Sequence, residues 1–127
     1  MAITLTVRDE AAAGEITQEL AVEMPAERVT AREVFRSRVY QEVQDYNLKQ
    51  TGDPFRGLLR PGVVEKTPNG HRPIDWKRQF ERATEAFEAG QVLLLVDDRQ
   101  VESLDEEVTL RQGSVATFLR LTLLVGG

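Results

Sequence analysis

The sequence predicts an α+β fold in which a β-sheet packs on one face of a helix. Three observations indicate this: two alternating apolar runs near the N-terminus, a helix start directly after them, and short apolar runs in the C-terminal third. The chain has 127 residues, of which 41% are hydrophobic, which is enough for one compact core. We therefore expect residues 1–127 to form a single domain.

Charge and cysteine content exclude several classes of function. The net charge is −5, and acidic and basic residues are interspersed, so the chain lacks the basic stripe of a nucleic-acid binder. Cysteine is absent, which excludes disulfides, thiolate metal sites and a cysteine nucleophile. The first residues show neither a signal peptide nor a membrane span. We expect a cytoplasmic protein with no nucleic-acid or membrane partner.

The first two strands are predicted from apolar residues that alternate with polar ones. Such alternation over residues 3–9 is typical of a strand with one buried face. A second alternating run ends before Pro25, and residues 10–15 separate the two runs. The pair therefore predicts an N-terminal hairpin. The residues on its two apolar faces are Ile3, Leu5, Val7, Leu20, Val22 and Met24.

The first helix has the clearest start signal in the chain. Thr30 and Glu33 match a capping box, in which each side chain accepts a hydrogen bond from the backbone N–H of the other residue. Val29 and Val34 stand where a hydrophobic staple places its two apolar side chains. An apolar stripe at helical spacing follows and can lie across the hairpin. Its residues are Phe35, Val39, Val43 and Tyr46.

An insertion is predicted over about residues 51–90. Residues 51–73 are rich in glycine and proline and lack a regular apolar period, so they predict a long loop with at most a short helical turn. Asp75 can cap a second helix, and Gly90 stands where a left-handed residue ends it. The apolar residues on one face of this helix are Trp76, Phe80, Ala83 and Phe87.

The last third of the chain predicts two strands and a connection between them. Residues 91–96 are mainly apolar and end at two aspartates, which indicates a buried strand at the centre of a sheet. Residues 101–110 predict a turn-rich acidic connection, and residues 117–125 predict the last strand. The leucines on one face of the last strand are Leu119, Leu121 and Leu123.

This order of elements resembles ubiquitin and its relatives, the β-grasp family, whose fold is a mixed sheet packed on a helix. Over residues 92–127 the likeness is closest, because Leu93-Leu94-Leu95-Val96 looks like the family's third strand. Residues 102–110 resemble its acidic fourth-strand region, and residues 117–121 lead into the tail. Residues 30–34 match the family's helix start. Residues 51–90 have no counterpart in ubiquitin, which indicates a divergent member with an insertion before the third strand.

The tail over residues 122–127 ends in Gly126-Gly127, the feature through which the resemblance implies a function. An activating enzyme must draw a terminal carboxylate to the α-phosphate of ATP, and residues without Cβ bend most easily in a narrow channel. The carboxylate is ionised at neutral pH and would form an acyl-adenylate, whose acyl group an enzyme thiolate would take. Gly127 and Gly126 are the predicted conjugation residues, and we expect the chain itself to be no enzyme.

The resemblance also implies partners. The resemblance leads us to expect a relative of the bacterial ubiquitin-like modifiers encoded beside their own enzymes, some of them tied to phage defence. They imply an activating enzyme, a conjugating enzyme, a deconjugating peptidase and target proteins as partners, with no cofactor. If the tail docks on a partner or on a second copy of the chain, the candidate contacts are Leu121, Leu123, Leu124 and Val125.

Three alternatives to conjugation remain open. The apolar residues before Gly126-Gly127 stand where ubiquitin carries arginines, which is closer to the sulfur carriers of thiamine and molybdopterin synthesis. Such a carrier would bear a C-terminal thiocarboxylate. The chain could instead be a non-covalent assembly module that uses its tail and its insertion. The last alternative is a glycine pair without function.

The remaining chemistry-bearing residues form no pattern of a catalytic or metal site. They are an isolated histidine, two acidic runs and three serines: His71, Asp97-Asp98, residues 105–107, Ser37, Ser103 and Ser114. The histidine has no second ligand pattern nearby, and the acidic runs lack the spacing of a calcium loop. The serines belong to no nucleophile motif. The sequence therefore predicts neither a catalytic residue nor a metal ligand.

Overall fold

The structure, a computed structural model, has an α+β fold with a mixed five-stranded sheet packed against a helix. It describes residues 2–49, 58, 60–61, 75–121 and 125–126. The elements are β1 (Ile3–Ala11), β2 (Ile16–Met24), β3 (Arg28–Thr30), α1 (Ala31–Lys49), β4 (Arg60–Pro61), α2 (Trp76–Glu88), β5 (Val92–Val96), β6 (Arg99–Val101), β7 (Glu107–Thr109), β8 (Val115–Arg120) and β9 (Val125–Gly126). The predicted α+β class is confirmed.

The sheet has the strand order β2-β1-β8-β5-β6. Its central pair, β1 and β8, is parallel, whereas the other three pairs are antiparallel. The first and last strands of the sheet therefore lie side by side at its centre. On the β1 side the sheet is extended by β2 alone, and on the β8 side by the antiparallel hairpin of β5 and β6.

The N-terminal hairpin is confirmed. Leu5 lies opposite Val22 and Val7 opposite Leu20 in antiparallel register. β1 continues two residues beyond the predicted residue 9, and the pairing with β2 is irregular between Asp9 and Glu10. The core side of β1 consists of every second residue from Ile3, and it ends in the carboxylate of Asp9, which is 1% exposed.

The predicted start of α1 is confirmed. The Glu33 backbone N–H donates to Thr30 Oγ1 at 3.3 Å, and the Thr30 N–H donates to Glu33 Oε1 at 3.2 Å. Val29 and Val34 are both buried, as a hydrophobic staple requires. The helix entry therefore forms from residues within one turn of each other.

α1 lies across the core face of the sheet. The Phe35 ring meets the Phe118 ring of β8 edge-on, with 5.0 Å between the ring centroids. Val39 and Val43 of the predicted stripe are buried, and Tyr46 at its end is half-buried. Three of the four residues of the stripe, Phe35, Val39 and Val43, therefore belong to the hydrophobic core.

α2 begins and ends at the predicted residues. Asp75 Oδ1 accepts the Lys77 N–H at 3.0 Å, and Gly90 has a φ of 74° directly after the C-cap. The Gln91 N–H donates to the Ala86 carbonyl at 2.9 Å, which is the hydrogen bond of a Schellman motif that spans six residues. The Phe87 ring contacts Phe35 at 5.4 Å between centroids, so α2 packs beside α1.

The prediction that residues 101–110 form only an acidic connection was wrong. This stretch contains β7, which pairs with β3, and the fourth strand of the sheet is β6, earlier than the predicted residues 102–110. The cause is a tight turn in which Asp97 and Asp98 have φ values of 49° and 68°. Two left-handed residues match the twist of a hairpin, so β5 reverses at once into β6.

The last strand also differs from its prediction over residues 117–125. β8 begins at Val115 and ends at Arg120, because both neighbouring strands run out there: Arg120 pairs with Ala11 of β1 and with Val92 of β5. β5 is an internal strand, as predicted, although Leu93 and Leu95 on its outer face are only half-buried. Leu119, predicted to share a face with Leu121, lies opposite Leu93.

Most of the predicted loop over residues 51–73, including His71, lies outside the described residues. Its described part contains Leu58, which is 2% exposed, and β4, a two-residue strand where only a loop or helical turn was predicted. None of the described helices has the combination of length and apolar character that a bilayer crossing requires.

The turn at Asp97 gives a test of hairpin stability. Asp97 accepts hydrogen bonds from the Val115 N–H at 2.9 Å and from the Ser114 hydroxyl at 2.8 Å. We expect Asp97→Ala to lower the free energy of unfolding by about 1–2 kcal/mol more than Asp98→Ala, measured by urea denaturation. The control incurs the same penalty for alanine at positive φ. Equal losses in the two variants would show that these hydrogen bonds contribute nothing.

Candidate functional site

The C-terminal segment leaves the sheet at a defined point beside the start of β5. The Leu121 N–H donates to the Gln91 carbonyl at 2.9 Å, directly after the last residue of β8. The Leu121 side chain is 43% exposed. Among the predicted tail contacts, Leu121 therefore offers an apolar surface to solvent.

Arg120 ties this exit point to two other parts of the chain. Its guanidinium donates to Thr17 Oγ1 at 2.9 Å and to the Leu58 carbonyl at 3.5 Å. The Thr17 hydroxyl in turn donates to the Asp9 carbonyl at 3.4 Å. The last residue of β8 thus contacts the β1–β2 hairpin and the insertion at once.

The tail returns to the described part of the chain as β9. It pairs in parallel with β4, with Arg60 opposite Val125 and Pro61 opposite Gly126, and β9 also approaches α2. Two of the predicted tail residues, Val125 and Gly126, are therefore engaged by the insertion through the backbone. Leu123, Leu124 and Gly127 lie outside the described residues.

Of the other sequence candidates in the described part of the chain, Ser37 lies within α1 and Glu107 begins β7, whereas most of the rest form turns. Asp97 and Ser114 bond to each other, and the Ser103 hydroxyl accepts the Asp105 N–H at 3.2 Å. Across residues 2–49, 58 and 75–121, no three His, Asp or Glu side chains are arranged to hold a metal ion.

A buried charged cluster, which was not predicted from the sequence, lies between α1 and β1. Arg38 is 0% exposed, and both of its terminal nitrogens donate hydrogen bonds to the Asp9 carboxylate. One of these nitrogens lies 2.6 Å from Asp9 Oδ2. Its Nε donates to Glu42, one turn along the helix. The guanidinium also lies 4.6 Å from the centroid of the Phe118 ring. Nε and both terminal nitrogens of this arginine thus donate to buried carboxylates.

The cluster holds one cation against two carboxylates, which sets the pKa directions. Burial disfavours the charged Arg38, but Glu42 and Asp9 outweigh it and raise the pKa of the guanidinium further. Burial raises the pKa of the Glu42 carboxyl above its usual value near 4.5, against the attraction of Arg38. Because Arg38 is shared with Asp9, its attraction leaves Glu42 incompletely compensated.

Two signals in the sequence could have revealed this cluster. Asp9 continues the alternation of Ile3, Leu5 and Val7, so it stands at an inward position of β1. Arg38 and Glu42 are four residues apart and adjoin the apolar stripe of α1. Charges at inward positions of two packed elements predict that they pair with each other.

Comparison of the chain with protein-family models, with curated proteins and with solved structures gave no match. Arg38 and its partners are closed to solvent, so no substrate reaches them and their role is structural. The exit point at Arg120 and the β9 segment that follows form the candidate functional site.

Loss of Arg38 tests the cluster. We expect Arg38→Met to lower the free energy of unfolding by about 3–5 kcal/mol, because it leaves two buried carboxylates without their cation. Arg32→Met on the same helix is the control, since Arg32 pairs with Asp105 at the surface and contributes about 0–1 kcal/mol. Thermal and urea unfolding measure both. Similar losses in the two variants would contradict the structural role.

Glu42 gives a pH-dependent prediction. Its folded-state pKa is raised, so the folded state binds more protons than the unfolded state, and stability falls as the pH rises above the usual value near 4.5. Glu42→Gln removes this titration. We expect the free energy of unfolding of this variant, relative to that of the wild type, to increase as the pH rises from about 4.5. Urea denaturation at several pH values measures this difference.

The control for Glu42→Gln is Glu81→Gln, the same substitution at an exposed position of α2. We expect no comparable gain with pH in this control. If the free energy of unfolding of Glu42→Gln, relative to that of the wild type, stays constant or decreases as the pH rises, the raised pKa of Glu42 is contradicted.

Proposed function

We propose that the chain is a β-grasp protein of the ubiquitin-like type and that it modifies other proteins through Gly127. The observation that carries the proposal is the strand order. The first and last strands of the sheet form a parallel pair, β2 lies beside β1, the β5–β6 hairpin lies beside β8, and α1 covers one face. This arrangement is compatible with a β-grasp, and its last strand leads directly to the segment with Gly126-Gly127.

The proposed chemistry requires a free carboxylate on Gly127, either as encoded or after processing. A carboxylate oxygen attacks the α-phosphorus of ATP, pyrophosphate leaves, and an acyl-adenylate forms. A thiolate of the activating enzyme then attacks the acyl carbon, and AMP leaves. Finally a lysine amine of the target attacks the thioester, the thiol leaves, and the amine loses a proton to give an isopeptide bond.

The exit geometry supports this use of the tail. β8 is held on both sides up to Arg120, so the segment after it starts from a rigid position. The anchor at Leu121, whose N–H bonds to Gln91, fixes the direction in which the tail departs. A rigid body that presents a narrow glycine end is what an enzyme needs if it is to bind the body and act on the tail.

Substitution of Gly127 tests the proposal. We expect Gly127→Val to lower the yield of conjugates by about 100-fold or more, because a branched Cβ obstructs the channel and displaces the reacting carboxylate. The measurement is mass spectrometry of lysine-linked remnants of the tail after expression in the native cells. Gly14→Asn in the β1–β2 turn is the matched glycine control, since asparagine tolerates its φ of 87°.

Three outcomes of this experiment separate the alternatives. Remnants on lysines that vanish in Gly127→Val support a conjugated modifier. An intact mass that shows sulfur in place of one C-terminal oxygen, without remnants, supports the sulfur carrier. If neither product forms in the presence of the native enzymes, covalent chemistry at Gly127 is contradicted, and non-covalent assembly is the alternative that remains.

A further inference from the structure

The pairing between the insertion and the tail is a feature that conjugation does not require. β9 pairs in parallel with β4, so that Pro61 lies opposite Gly126, and β9 also approaches α2. The backbone directly before Gly127 is thus engaged by the chain itself. An enzyme that draws this tail into its own active site has to compete with that contact.

β4 is anchored firmly to the body of the fold. Leu58, two residues before it, is 2% exposed and belongs to the hydrophobic core. The Leu58 carbonyl accepts a hydrogen bond from Arg120, the residue at which β8 ends. The same arginine therefore lies at the tail's exit and at the anchor of the strand that receives the tail.

The pairing itself is short and therefore reversible. Each strand contributes two residues, and Pro61 has no backbone N–H to donate. β8, in contrast, pairs along its length with β1 and β5. β9 can thus separate from β4 while the five-stranded sheet stays intact.

From these contacts we propose that β4, anchored by Leu58, is an autoinhibitory cover for the tail. It holds Val125–Gly126 in cis and withholds the adjacent Gly127 from an activating enzyme until β9 is displaced. This inference rests on the proposed function. The apparent affinity of the enzyme for the chain is reduced by the fraction of molecules in which the tail is free.

Hydrogen exchange tests the cover without any enzyme. In the purified full chain, we expect the amides of residues 125–127 to exchange more slowly than in a peptide of the same tail sequence. Leu58→Ala should speed their exchange by about tenfold, the factor expected from loss of about one net hydrogen bond. The control is Leu110→Ala, an equally buried leucine that precedes the opposite end of β8. Tail exchange as fast as in the peptide would overturn the proposal.

A reversible covalent lock tests the consequence for coupling. The chain has no cysteine, and paired residues of neighbouring strands lie within disulfide range, so Arg60→Cys with Val125→Cys can form a single defined bridge. Thr4→Cys with Val125→Cys is the control pair, because Thr4 lies near the opposite end of the sheet. We expect a disulfide to form readily between Arg60→Cys and Val125→Cys but not in the control pair. Once this disulfide has formed, the amides of the tail should exchange more slowly.

The lock also separates this inference from the proposed function. The purified Arg60→Cys, Val125→Cys chain is oxidised first and then added to lysate of the native cells supplied with ATP. We expect this locked chain to form at least tenfold less conjugate than the same chain reduced with dithiothreitol. Unchanged conjugate formation by the locked chain would overturn the cover. Absence of conjugates from wild-type and reduced chains alike would overturn the proposed function, while the exchange rates would still decide whether β4 covers the tail.

Discussion

One buried arginine constrains how the helix and the sheet fit together. Arg38 has no exposed surface, so its charge must be matched inside the protein, and Asp9 on β1 and Glu42 on α1 do this. Aliphatic contacts in the core, such as those of Val39 and Val43, tolerate small shifts, since the hydrophobic effect has no preferred direction. A bidentate ion pair does not. A helix turned or displaced by one residue would leave charges buried without partners, at a cost of several kcal/mol.

This constraint extends to the candidate functional site. The Arg38 guanidinium lies over the Phe118 ring, and Phe118 stands two residues before Arg120, where the tail leaves the sheet. The positive charge of Arg120 also acts on the buried Glu42 carboxyl. The buried cluster and the exit point thus share the last residues of β8. A cluster that is itself closed to solvent therefore fixes the position from which the tail starts.

Most parts of this fold that depend on neighbouring residues were predicted from the sequence, although the tight turn at Asp97-Asp98 was missed, whereas the parts that depend on where distant strands end were not predicted. The capping box of Thr30 and Glu33 and the Gly90 helix end are local, and both were confirmed. The predicted end of the last strand was wrong, because β8 ends where β1 and β5 stop. No pattern within residues 117–125 encodes that position. The β4–β9 pairing joins residues 65 apart in sequence, and its two-residue strands are too short for a periodic signal.

The contacts around the tail imply an order of opening. β8 pairs with β1 over six residues and with β5 over five, whereas β9 pairs with β4 over two residues, one of them opposite a proline. Local opening therefore begins at β9, since the free energy of opening grows with the hydrogen bonds and buried area lost. Leu121 is the natural limit, because its bond to Gln91 joins the tail to the core sheet. Displacing β9 thus frees the tail only as far as Leu121, so the rigid body that a partner would recognise is unchanged by the release of the glycine end.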